Sequence, residues 1–168
     1  MKTNMRVVTV IGLLLLVAGC KPSHRVDFKP ALVSIDPGDG WKRLDIPAAL
    51  PACSPRLVGK AGMINALLLE DFTEIKKAAD FMQARFASNS KVVADSFKQE
   101  DFTSESGLIG IHLSYTAASK NSATPNDRSH RFITHNRKGQ CVSVSYITSP
   151  AAEATEVLQA ISKTLRVE

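Results

Sequence analysis

Four histidines, three cysteines and one dense basic run are the residues of this 168-residue chain with the chemistry to bind or react. A tight metal site wants three or four converging ligands. The histidines are His24, His112, His130 and His135. His130 and His135 stand five apart, and in a regular strand an odd separation sends side chains to opposite faces. His112 has no Cys, Asp or Glu close to it in sequence. The expectation is therefore no metal and no cofactor. A serine nucleophile on a strained turn would show as Gly-x-Ser-x-Gly, which does not occur. Ser88 to Lys91 has the Ser-x-x-Lys spacing, but its Asn89-Ser90 interior reads as a turn. With no phosphate-cradling glycine loop either, no catalytic residue is assigned.

The basic run holds Arg128, His130, Arg131, His135, Arg137 and Lys138 inside eleven residues, with no acid from 128 to 138. On one reading these side chains solvate an edge and deter strand addition. On the other, Arg128, Arg131, Arg137 and Lys138 form a patch for an anionic partner, such as lipid phosphate, a peptidoglycan carboxylate or an acidic protein face. Alternation along a strand turns half of them away, which favours the first. The formal charge of the whole chain is +5, too mild an excess to argue for nucleic acid.

The elements that must position these groups follow from periodicity. Ala31 to Ile46 reads as strand, turn, strand around Asp36-Pro37-Gly38-Asp39-Gly40, with Trp41, the single Trp, as a core anchor. Pro47, Pro51 and Pro55 make the stretch around Cys53 irregular. Met63 to Leu69 is an apolar run that suits a buried strand. Asp71 with Glu74 has the form of a capping box, and Ile75, Ala78, Ala79, Met82 and Phe86 make one helical stripe. Lys91 to Gln99 and Gly107 to Ala117 alternate as strands. In the second, Ile109, Ile111, Leu113 and Tyr115 oppose Gly110, His112 and Ser114. Arg128 to His135 and Gln140 to Thr148 form a hairpin around Asn136-Arg137-Lys138-Gly139. After Ser149-Pro150, a helix presents Ala154, Val157, Leu158, Ile161 and Leu165. The order predicts α+β: an antiparallel β-sheet flanked by helices.

The amino-terminal stretch Leu13-Leu14-Leu15-Leu16-Val17-Ala18-Gly19-Cys20 resembles the lipobox of bacterial lipoproteins. Lys2 and Arg6 supply a positive n-region, and Val7 to Val17 an apolar segment too short to span a bilayer. The resemblance implies that residues 1–19 are a signal peptide, that Cys20 carries diacylglycerol and an N-acyl chain, and that the mature chain sits on a membrane through them. More than one acyl chain gives stable anchoring. Lys21 after the cysteine, in place of Asp, favours the outer membrane over the inner, with the domain facing the periplasm. Residues 20–30 read as lipidated cysteine and tether, about 35 Å long when extended, and residues 31–168 as one domain. Removing residues 1–19 takes two basic residues and no acid, leaving a charge of +3. With Cys20 lipidated, Cys53 and Cys141 remain as a pair, which an oxidising compartment permits to bond. Two separate buried thiols are the alternative.

The Gly40-Trp41 turn, the strand and helix from Met63 to Phe86, the strand Leu108 to Tyr115 after Gly107, and the terminal Ile161-Ser162-Lys163-Thr164-Leu165 together resemble the PsbP and Mog type sandwich, and within it the DcrB-like bacterial lipoproteins. The likeness spans most of residues 31–168. It implies an α/β/α sandwich serving as a non-enzymatic binding or assembly module, with no catalytic constellation. The alternative is an envelope hydrolase or metal-dependent enzyme whose site is assembled from residues distant in sequence.

Overall fold

The computed structural model describes residues 24–44, 55–89, 91–117, 127–149 and 155–168. Its centre is β9 (Cys141–Thr148), whose alternating pattern is buried on both faces. Here β9 lies between β5 (Gly62–Leu69) and β8 (Asp127–His135), all antiparallel. Outward from β5 come β4 (Arg56–Gly59) and β3 (Lys42–Leu44). Outward from β8 come β7 (Ile109–Ala117) and β6 (Lys98–Thr103), completing a sheet of seven described strands ordered β3-β4-β5-β9-β8-β7-β6.

A small second sheet pairs β2 (Val33–Ile35) with β1 (Val26–Phe28) on one side and β10 (Arg166–Val167) on the other. Helix α1 (Ile75–Ala87) covers one face of the large sheet, and α2 (Thr155–Thr164) with the small sheet covers the other. The α1 side buries Ala78, Ala79 and Met82 against Leu113, Ile133 and Cys141. The opposite side buries Phe28, Ile35, Ile161 and Leu165 against Ile64, Phe132, Val144 and Tyr146. Each such side chain contributes roughly 1.5–3 kcal/mol on leaving water. The fold is thus α+β and antiparallel, with the two faces of β7 and β9 assigned as the alternation requires.

Several boundaries differ from expectation. The tether does not run to Pro30: β1 lies within it, with Phe28 fully buried, so the folded domain begins earlier. Three residues carry no readable period, and it is pairing with β2 that makes them a strand. The strands on either side of the Asp36 to Gly40 turn belong to different sheets. α1 starts at Ile75, and its N-cap Glu74 makes no side-chain cap but pairs with Lys77 (2.5 Å). The link before it turns at Glu70–Asp71 and is tied to the sheet end, where Cys141 N–H donates to Phe72 O (2.9 Å) and His135 Nε2 contacts Thr73 O (2.8 Å). In the run from Lys91, Val92 makes one bridge to Ala117 and a 3₁₀ turn follows at Ala94–Ser96. Strand β6 therefore starts only at Lys98. The expected Ser149-Pro150 helix start falls partly outside the described residues.

Gly110 shows how tightly the α2 side is filled. A Cβ there would stand 2.3 Å from Ile133 O and 2.4 Å from the Phe102 ring, which meets Phe132 edge to face at 5.4 Å. Gly110→Ala should destabilise the fold by about 1–3 kcal/mol through forced repacking. Urea unfolding checks this; an unchanged midpoint would mean that β7 lies further from Phe102.

Candidate functional site

The loop after β2 builds an open cleft of about 710 Å³. Asp36 N–H donates to Thr164 Oγ1 (2.8 Å), tying the loop to the end of α2, and Asp36 Oδ1 accepts from Gly38 N–H (3.1 Å). Gly38 and Gly40 adopt φ of +79° and +86°, left-handed values that let the loop double back at low cost. The turn delivers the Trp41 indole onto Gly59, where a Cβ would come within 2.9 Å of Gly40 O and 3.2 Å of the indole. Tyr146 meets Trp41 edge-on at 6.3 Å and donates its hydroxyl to Ala61 O (2.7 Å). One wall is α2, through Val157 and Ala160, and Asp39, Lys60 and Glu156 line the rim. Trp41 is half-buried. It is the core anchor expected and also lines the cleft.

His24 Nε2 lies 2.7 Å from Asp39 Oδ1 at this rim. The beginning of the described chain is thereby brought to the cleft mouth.

A second, narrower feature lies on the same side of the sheet. His112 and His130 stack with ring centroids 5.3 Å apart, Nε2 of the first 3.2 Å from Nδ1 of the second. The register makes this pair: Ser114 opposes His130 and His112 opposes Phe132, so the two imidazoles are diagonal neighbours on one face. His112 also lies flat on Phe132 (4.5 Å). A cavity of about 200 Å³ opens on His112 between Glu100, Phe102 and Leu158, and another of about 240 Å³ on His130 between Lys98, Ser114 and Arg128. Burial pushes His112 down to about 4, with His130 adding to the fall and Glu100 opposing it. It is a neutral imidazole at pH 7. Among the described residues no three His, Cys, Asp or Glu gather as a metal site.

The residues of the basic run do not form one patch. Arg128 lines the groove with His130. Arg131 points to the other face, stacked over Phe86 (4.3 Å) and donating to Ser145 Oγ (2.8 Å) and Tyr115 Oη (3.3 Å). Arg137 and Lys138 lie in the turn at the far end of β8, where Arg137 lines a cavity with Asp27 and Glu168 beside the small sheet. His135 sits opposite in sense to His130, as the odd spacing requires. Cys141 carries a free, buried thiol with its proton affinity raised by burial. Cys20 and Cys53 lie outside the described residues, so their lipidation and pairing are not placed.

No family model and no curated protein matches the chain. Among solved structures it is similar to cyanobacterial PsbP (CyanoP) from Synechocystis, with a TM-score of 0.53 and 16% identity over 94% of this chain and all of that one. A protein of Bacteroides thetaiotaomicron overlaps at a TM-score of 0.43 and 14% identity, over 83% of this chain and 46% of that one. The chain has a PsbP-like α+β fold.

Because His112 is harder to protonate folded than unfolded, the unfolded state binds the extra proton as pH falls. Stability should be full above pH 6.5 and decline toward pH 4. His112→Phe, which keeps a ring on Phe132, should flatten that decline. Thermal unfolding across this range checks it, and identical slopes in both proteins would clear His112 of the effect.

Proposed function

We propose that this is a lipid-anchored cell-envelope protein, facing the periplasm, that acts as a non-enzymatic binding or assembly module through the Trp41 cleft. The cleft carries the reading. It joins an aromatic side chain and small apolar residues to a charged rim, which is the usual composition of a binding concavity. Its shape is built from backbone turns and fixed aromatic contacts, so little ordering cost remains to be met on binding. The lipobox-like Leu13 to Cys20 stretch supports the anchor, and Lys21 favours the outer membrane. The PsbP-type resemblance supports a module that binds or assembles.

One observation favours an enzyme instead. His112 stands at hydrogen-bond distance from His130 and opens on a small cavity, which places two imidazoles where a substrate could meet them, although the lowered proton affinity makes His112 a weak base. A hydrolase or metal-dependent reading would use this groove, not the cleft.

The two readings separate by substitution. In bacteria fed labelled palmitate, the full chain should take up label and Cys20→Ser should not. Crosslinking in whole cells should give adducts that Ala160→Trp, which fills the cleft, removes and His112→Phe leaves intact. An unlabelled wild-type chain would overturn the anchor. Adducts lost only in His112→Phe would move the function to the groove.

A further inference from the structure

We propose that the Trp41 cleft and the adjoining edge strand β3 form a membrane-docking surface, held against the lipid headgroups of the bilayer in which the Cys20 acyl chains sit. The inference rests on the lipid-anchored reading and adds to it the orientation of the domain and the chemistry of its occupant.

The length of the leash is the first observation. His24 contacts Asp39 on the cleft rim, so four residue steps separate Cys20 from that rim. Fully extended they span at most about 14 Å. The contact is exposed and weak by itself, but the bound does not depend on it. Val26 is fixed in β1 opposite Ile35, immediately before the loop that builds the cleft. Even with His24 released, six residue steps reach only about 21 Å. A domain tied this closely cannot turn the cleft far from the membrane; the β8–β9 turn, where Arg137 lines a cavity with Asp27, is tied about as closely, so what the cleft surface presents must make the choice.

The second observation is what the tied surface presents. Trp41, half-buried in the cleft, has the amphipathic ring that favours the boundary between headgroups and acyl chains. Leu44 on β3 is 51% exposed. Lys42 on the same strand and Lys60 in the β4–β5 turn are both exposed, and basic side chains near an anionic leaflet each add attraction. Two rim acids, Asp39 and Glu156, oppose docking, with Asp39 in contact with His24. An exposed apolar side chain beside Trp and lysines, on the edge strand that adjoins the cleft, matches a phospholipid surface: phosphates for the lysines, and the glycerol and upper acyl region for Trp41 and Leu44.

The single Trp makes the test direct. The full chain, isolated with its Cys20 acylation verified by mass, is reconstituted in phosphatidylethanolamine and phosphatidylglycerol vesicles bearing a headgroup nitroxide. Trp41 emission should fall by at least half relative to vesicles without nitroxide. Lys42→Glu with Lys60→Glu should restore most of it, and so should high salt. An unchanged urea midpoint of that variant in the absence of vesicles shows that it folds. No quenching in the wild type, or quenching untouched by charge reversal, overturns docking and leaves the cleft to a periplasmic partner. If the chain proves unacylated, the anchor reading fails. Coupling Cys20 of a Cys53→Ser chain to a maleimide lipid then tests docking by itself, with the same results expected and the same results overturning it.

Discussion

The burial of β9 on both faces is the constraint from which the rest of the architecture follows. An antiparallel sheet often leaves one face to water, but here Val142, Val144 and Tyr146 are buried on one side and Cys141 on the other. Such a strand must lie at the centre of its sheet and needs cover above and below. β5 and β8 supply the neighbours, α1 one cover, and α2 with the small sheet the second. Its register is held at the β8–β9 turn, where Asn136 Oδ1 accepts from the N–H groups of Lys138 (2.9 Å) and Gln140 (3.1 Å), and Gly139 takes φ +73°. A slip of one residue there would exchange the two cores.

The concave features arise where that cover stops. At one side of α2, the glycine loop and the β4–β5 turn leave the Trp41 cleft. At its other side, Leu158 closes only part of the space over β6, β7 and β8, leaving the two histidines in a groove. The two places differ in character. The cleft is wide, fixed by backbone geometry and next to the chain's tied end. The groove is small, and its imidazoles pack on each other, on Phe132 and on Tyr146. A protein that binds something large at a membrane would use the first.

Much of the fold was legible because its longer elements bury one kind of face. The alternation of Ile109 to Tyr115 and of Cys141 to Ile147, and the stripe from Ile75 to Phe86, each found the partner that the period required. β1 and β10 were not legible, since three and two residues show no period and exist as strands only through β2. The His112–His130 pair was hidden for a related reason. Both residues were visible, but their meeting depends on the β7–β8 register, which nothing local fixes across residues 118–126. The basic run divides across the pleat as strand alternation requires, with Arg131 packed against Phe86 on the face away from His130. The glycines beside Trp41 were legible as a turn, but not the cleft they open, which depends on the approach of Gly59 and α2 from elsewhere in the chain.

The central claim is that the Trp41 cleft with β3, and not the basic turn, is the working face. Hydrogen–deuterium exchange on the acylated full chain bound to vesicles, compared with the Cys20→Ser chain free in solution, tests it most directly. The account predicts slowed exchange at residues 37–44 and 59–61 and none at Arg137 to Gly139. Protection at that turn, with the cleft segments unchanged, would contradict it.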